Sequence, residues 1–177
     1  MTLPEFELLQ PRSLSKALKL LDNTPTSVPI AGGTALLVDL RDRKLAPDIL
    51  LDLSQIDELR RIEIDDGELV LGATVTVSDL LDSPAVQQHA PVLHEACKTF
   101  AAPLVRNRAT IGGNLVHASP AADTAPPLLL LDTTVELQAH GRKRQMPLHR
   151  FFAGPCKTNL RPGHVLTSVR IPIPASP

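Results

Sequence analysis

The stretch Val28-Pro29-Ile30-Ala31-Gly32-Gly33-Thr34-Ala35-Leu36 constrains the fold more than any other, because it sets a glycine pair between a short apolar strand and the start of an apolar helix face. Leu36, Leu37 and Leu40 fall at helical spacing, the element ends before Pro47, and Ile49-Leu50-Leu51 reads as a buried strand. Strand, glycine turn, helix and strand in that order is the pattern of a βαβ unit, which calls for mixed α/β architecture. Ahead of it, Leu14, Ala17, Leu18 and Leu21 form an amphipathic helix behind the N-cap residue Ser13, closed by Thr24-Pro25.

Near residue 58 the texture changes to short strands, Ile62 to Ile64 and Glu68 to Ala73, joined by the turn Asp65-Asp66-Gly67. Helices are predicted from Val77 to Leu81 and from Pro84 to Thr99, the second capped by Ser83 with proline at its first position. The segment from Arg106 to Pro127 is rich in Gly, Asn, Ser and Pro and carries a second glycine loop. After it come an apolar run, Leu128 to Leu131, and a strand beginning at Val135 and Leu137. Arg142-Lys143-Arg144 reads as a solvated hairpin tip, Phe151-Phe152 as a short turn, and Val165 to Ile171 as a strand stopped by Pro172 and Pro174. The expected fold is α/β (α+β) in two lobes, residues 1–58 and 59–177, with a ligand cleft between them.

Composition narrows the chemistry. With 18 Lys+Arg against 19 Asp+Glu and a formal net charge of -1, the chain has no electrostatic reason to bind nucleic acid or anionic lipid. No apolar run approaches the roughly 20 residues of a membrane span. Cys97 and Cys156 stand alone, so the chain by itself holds neither an iron–sulfur cluster nor a structural zinc, and the expected compartment is the reducing cytoplasm. At 43% hydrophobic residues but 2% aromatic, with no Tyr or Trp, the core must be aliphatic.

Two glycine pairs are the candidate ligand site. At Ala31-Gly32-Gly33-Thr34, glycines permit positive φ and close backbone approach, and N–H groups at the following helix start favour phosphate oxygens. At Thr110-Ile111-Gly112-Gly113-Asn114 a second pair offers another close approach, with Asn114, Ser119 and Asp123 able to bond ribose hydroxyls or phosphate oxygens. Neither pair is the GxGxxG or GxxxxGK[ST] pattern. A glycine pair beside a strand is also a common turn, Asp123 is also placed to cap a helix through Leu131, and Phe100 is also a core residue by type. His117 lies inside the second glycine segment and is a pocket candidate. Arg106 and Arg108 are placed to meet a phosphate or to serve at a helix end. No Ser/His/Asp or Cys/His grouping suggests a nucleophile.

Taken together, Ala31-Gly32-Gly33-Thr34, Val105-Arg106-Asn107-Arg108-Ala109-Thr110-Ile111-Gly112-Gly113-Asn114-Leu115 and Ala118-Ser119-Pro120-Ala121-Ala122-Asp123 resemble the FAD-binding domain of the molybdenum hydroxylases. These are the flavin subunits or domains of xanthine dehydrogenase, aerobic carbon monoxide dehydrogenase and 4-hydroxybenzoyl-CoA reductase, and the likeness runs from Phe6 through Ile171-Pro172. It implies FAD extended in the cleft between the lobes. The segment Pro29, Ile30, Ala31, Gly32, Gly33, Thr34, Ala35 and Leu36 would take the pyrophosphate, and Thr110, Ile111, Gly112, Gly113 and Asn114 would contact phosphate and flavin. Ser119 and Asp123 would serve the ribose region, Phe100 would lie along the cofactor and Leu166 would approach the isoalloxazine ring.

The resemblance also implies a division of labour. Electrons leave substrate at a molybdenum-pterin site on a large partner subunit, pass 2Fe-2S clusters on a small one, and reach FAD here, which reduces NAD, a quinone or dioxygen. The expected function is therefore an FAD-dependent oxidoreductase component, an electron-transfer flavoprotein with no substrate chemistry of its own. The alternatives are a free-standing small flavoprotein reductase and a flavin-free assembly module. Family flavin subunits continue into a C-terminal domain past the equivalent of Ile171-Pro172, and this sequence stops at Pro177, so a chain lacking that domain is expected.

Overall fold

The parallel unit is built as its hydrophobic pattern demands. In the computed structural model, which describes residues 3–174, β1 (Glu7–Leu9), β2 (Ser27–Ile30) and β3 (Ile49–Asp52) form a three-stranded sheet in the order β1-β3-β2. Both pairings are parallel, with Leu50 opposite Leu8 on one side and Val28 on the other. Helix α1 (Leu14–Asn23) starts where the Ser13 side chain accepts from the Lys16 N–H, and it buries Ala17, Leu18 and Leu21. Those residues share a core with Leu51, Leu53, Ile56 and Leu59, so the helix stripe and the strands solve one burial problem together. Helix α2 (Leu36–Arg41) connects β2 to β3 and buries only Leu40. Strand β1 was not legible in sequence: at three residues, two of them exposed, it carries no apolar alternation.

The second sheet is antiparallel, in the order β4 (Ile62–Asp65), β5 (Glu68–Gly72), β10 (Val165–Pro172), β6 (Thr134–Ala139), β7 (Arg142–Pro147). The last strand of the chain is thus its central one, buried along nearly its whole length. Its first residue, Val165, packs into the core of the parallel unit, while Leu166, Val169 and Ile171 enter the larger core. That larger core is covered by helices α3 (Val77–Asp82), α4 (Pro84–His89), α5 (Pro91–Thr99), α6 (Pro103–Arg106), α7 (Ile111–His117), α8 (Ala125–Leu130) and α9 (Leu148–Phe151). A small hairpin of β8 (Phe152–Gly154) and β9 (Lys157–Thr158) precedes β10.

Three expectations are corrected. The helix predicted over 84–99 is two, α4 and α5, because Pro91 restricts Ala90 and cannot donate to the preceding turn. Arg142, Lys143 and Arg144 are not a hairpin tip: the turn is at His140-Gly141, and the basic run opens β7, an edge strand, where charge discourages pairing with another chain. The second glycine segment is a helix, α7, rather than a loop.

Lys143 has a further role. Its Nζ lies 2.7 Å from Oε2 of Glu136, a β6 carboxylate only 5% exposed, whose Oε1 accepts from Gln138 and from the Thr167 hydroxyl. Burial pushes the Glu136 carboxyl up, but the hydrogen bonds from Lys143, Gln138 and Gln145 and the Lys143 charge outweigh it, and the group is held below its ordinary 4.5. A depressed folded-state value means stability present above the unfolded value and lost as pH falls through the folded one. Glu136→Gln is expected to lower unfolding free energy at pH 7 by roughly 2 kcal/mol. Denaturant titrations of both proteins should converge as pH drops below about 4.5.

Candidate functional site

A cavity of about 570 Å³ is walled by the end of β2, the following loop, α2, the first residues of α7 and the stretch leading into β10. That volume is in the range of small-molecule and cofactor sites.

The loop after β2 supplies the polar wall. Gly33, at φ +73°, turns the chain so that its carbonyl accepts from Leu37 and starts α2. Among the described residues, the N–H groups of Gly32, Gly33, Thr34 and Ala35 donate to no protein acceptor, so four consecutive donors stand at the cavity wall without an internal partner. Such a run of backbone N–H groups is what phosphate oxygens require. Gly32 has another constraint. A Cβ on it would stand 1.6 Å from the Arg108 carbonyl oxygen, so this glycine is needed where the loop touches the chain ahead of α7, not where it faces a ligand.

The second glycine pair behaves differently from the first. Ile111 donates to the Val75 carbonyl, Gly112 to the Ala73 carbonyl and Gly113 to the Thr110 hydroxyl. The N–H groups of the first turn of α7 are thus spent, two on docking the helix against the chain beyond β5 and one on its own N-cap. Gly112 is glycine because a Cβ there would meet Ala73 at 2.7 Å. What α7 offers the cavity is side chain and surface: Thr110, Gly112, Gly113, Asn114 and His117 line it. The Asn114 Oδ1 accepts from the buried Thr124 hydroxyl at 2.6 Å, which fixes the carboxamide with its NH2 free to donate.

The structure brings Pro29 through Leu36 to the same cavity as Thr110, Gly112, Gly113, Asn114, Phe100 and Leu166. Ile111, Ser119 and Asp123 are not on its walls. Ile111 is fully buried in the core. Ser119 and Asp123 lie just beyond α7, where the Ser119 hydroxyl accepts from the Ala121 N–H. Asp123 is exposed and makes no hydrogen bond or ion pair among the described residues; the cap position of α8 is Thr124, and no side chain caps it, so the helix-cap reading of Asp123 does not hold. Its charge is felt by Cys97, whose thiol burial first, and Asp123 second, push up to about 11, leaving it a protonated core residue rather than a nucleophile.

Arg106 takes its helix-end role. Its Nη1 lies 3.3, 3.0 and 3.1 Å from the carbonyls of Lys98, Phe100 and Ala101, closing the end of α5 and holding Phe100 against the cavity. Ser27, Asp39, Thr74, Arg161 and His164 also line the cavity and were not singled out in sequence. The turn Arg161-Pro162-Gly163-His164 ahead of the last strand was the one available signal.

The model of the FAD binding domain in molybdopterin dehydrogenase matches residues 4–174. The chain belongs to this FAD-binding family. The glyceraldehyde dehydrogenase medium chain of Sulfolobus acidocaldarius is 33% identical over 170 residues, covering 96% of this chain and 60% of that one. The carbon monoxide dehydrogenase medium chain of Hydrogenophaga pseudoflava is 35% identical, covering 96% and 59%. Quinoline 2-oxidoreductase of Pseudomonas putida 86 superposes with a TM-score of 0.95 at 35% identity, over 99% of this chain and 61% of that one. The chain therefore spans about 60% of the length of the relatives it matches.

The residues present fit the group this FAD-binding family is named for. FAD joins an anionic pyrophosphate to a flat, largely apolar ring system, and the cavity is lined both by the Gly32–Ala35 loop, whose four N–H groups have no protein acceptor, and by apolar residues that include Ile30, Phe100, Val165 and Leu166.

Proposed function

We propose that this chain binds FAD in the cavity and serves as the flavin-bearing electron-transfer part of a molybdenum hydroxylase-type oxidoreductase. The observation that carries the reading is the run of free N–H groups from Gly32 to Ala35 set over an apolar cavity in a chain of this family. The two lobes, 1–58 and 59–177, would each contribute one wall. When bound, FAD supplies the capacity to take up and release electrons singly or in pairs.

The chain's own residues do the rest. The Gly32–Ala35 N–H groups would bond the pyrophosphate oxygens, and the Asn114 NH2 would add a donor fixed by Thr124. Phe100 and Leu166 would exclude water from the ring, which would keep the surroundings of the electron carrier constant. No acid, base or nucleophile is needed for this role, and the buried Cys97 thiol is held protonated. The relatives are named as medium chains of dehydrogenases, and by that likeness the molybdenum-pterin centre and the 2Fe-2S clusters belong to a large and a small partner subunit. Among the described residues no group of three or more His, Cys, Asp or Glu could hold a metal ion. No helix among them is long and apolar enough to cross a membrane, and the unpaired Cys97 and Cys156 support a cytoplasmic setting.

The test is the visible spectrum of the purified chain after mixing with FAD and desalting. With no Tyr or Trp, the protein contributes almost nothing near 280 nm, so retained flavin dominates. A flavin spectrum at one equivalent is expected; none at saturating FAD would overturn the reading. Asp123→Ala carries a second expectation. The ribose role of Asp123 rests on the family likeness alone, since the residue stands beyond the cavity wall; on that reading its loss should weaken FAD about tenfold, about 1.4 kcal/mol, by equilibrium titration of flavin fluorescence, and an unchanged affinity would leave Asp123 outside the site.

A further inference from the structure

One ionic contact at the cavity joins the two sheets' helices and is used by nothing above. His117, the last residue of α7, presents Nε2 at 3.6 Å from Oδ2 of Asp39 in α2, and both side chains line the cavity. Asp39 is well suited to hold a second cation. Its other oxygen, Oδ1, is taken by Lys44 at 3.1 Å, and its side chain is only 21% exposed. At 3.6 Å the contact is beyond hydrogen-bond reach, so it acts as an attraction between charges, present when the imidazole carries its second proton.

Helix α2 has little else to hold it. It is six residues long and buries only Leu40, while Leu37 and Val38 on the same short helix are 40% and 39% exposed. A helix this short is not self-supporting. Yet it sits directly after the Gly32–Ala35 loop, whose carbonyl at Gly33 accepts from Leu37 and whose Gly32 leans on Arg108. The loop and α2 together are therefore held to the far side at two places, by backbone contact at Gly32 in the loop and by charge at Asp39 in α2.

We infer that Asp39 and His117 form a clasp across the cavity, positioning α2 and the loop before it, so that the pair governs how firmly the dinucleotide is retained. His117 is a positioning residue here, acting through Asp39 and α2. This inference rests on the FAD reading for its consequence but not for the clasp itself. The other ionisable groups around the pair are Lys44 on Asp39, with Asp42 reaching Lys44 at 3.6 Å, Lys157 on β9, which packs against α7, and Cys156, whose N–H donates to the Ala118 carbonyl beside His117; Arg161 and His164 line the same cavity from ahead of β10.

The experiment uses the full chain, with FAD as the probe, and has two readouts. Without FAD, amide hydrogen exchange of Leu37 to Leu40 is expected to be slower at pH 6 than the intrinsic rate difference accounts for, relative to pH 8, and to lose that protection in His117→Gln and Asp39→Asn. With FAD, its dissociation rate is expected to rise about fivefold in either variant at pH 6, with the double variant no worse than the singles, and to recover in the swapped pair Asp39→His/His117→Asp. His164→Gln should keep the pH difference. Equal exchange at Leu37 to Leu40 in wild type and variants overturns the clasp, whether or not FAD binds. Protected exchange with unchanged FAD dissociation overturns its role in retention, as do additive singles or a swap that fails to rescue. A wild type that binds no FAD overturns the proposed function, and the exchange data then judge the clasp alone.

Discussion

Gly32→Val is expected to abolish FAD retention, lowering affinity by a hundredfold or more, about 2.7 kcal/mol. The reason is not that valine would touch the cofactor. Its Cβ would fall 1.6 Å from the Arg108 carbonyl oxygen and 2.5 Å from the carbonyl carbon, so two backbone segments that cannot yield locally must separate. Separation carries away the four N–H groups from Gly32 to Ala35, and losing even two hydrogen bonds to a charged group accounts for roughly 3 kcal/mol. The protein should remain folded, since Gly32 belongs to neither core and the contact reaches the larger one only at the backbone of Ala109. Flavin titration and circular dichroism on the same sample check both halves, and a folded variant that binds FAD at wild-type affinity would remove the loop from the site.

Gly112→Ala is expected to act on stability first. The added carbon would meet Ala73 Cβ and the Ala73 carbonyl oxygen at 2.7 Å, in the region where α7 docks by the Gly112 and Ile111 N–H bonds to Ala73 and Val75. Overpacking of this kind costs about 1 to 3 kcal/mol, and the displaced hydrogen bonds place the expected loss at roughly 3 kcal/mol. Urea denaturation should show the midpoint fall without a change of slope. Gly113→Ala is the control: its Cβ meets only the Thr110 Oγ at 2.8 Å, so the expected loss is that of one N-cap bond, about 1 kcal/mol. Equal effects at the two positions would mean that α7 is not docked as described.

These two glycines show where sequence reading and tertiary structure part. Both pairs stand out in the sequence as unusual, and the ordinary inference from a glycine beside a phosphate-type loop is close approach of ligand. At Gly32 and Gly112 the close approach is by the chain's own backbone, from residues 76 and 39 positions away in sequence, Arg108 and Ala73. A sequence names the residue that must lack a side chain. It does not name what occupies the space, because that depends on which distant segment the fold brings there.

The same division runs through the whole molecule. Local physics determined the amphipathic helix at Leu14–Asn23 with its Ser13 cap, the βαβ unit around Gly32-Gly33, the Asp65-Asp66-Gly67 hairpin and the final strand, since helical and alternating periodicities and turn chemistry are properties of adjacent residues. The motifs in order also carried the family. Only the tertiary structure decided that the last strand is the central one, because the antiparallel partners β5 and β6 are chosen by burial of whole faces and not by the strand's own residues. It also decided that one glycine pair leaves its N–H groups free while the other spends them. Those donors look identical along the chain, and their fate rests on whether an acceptor from elsewhere, Ala73 and Val75 for α7 and none for the Gly32–Ala35 loop among the described residues, comes within reach.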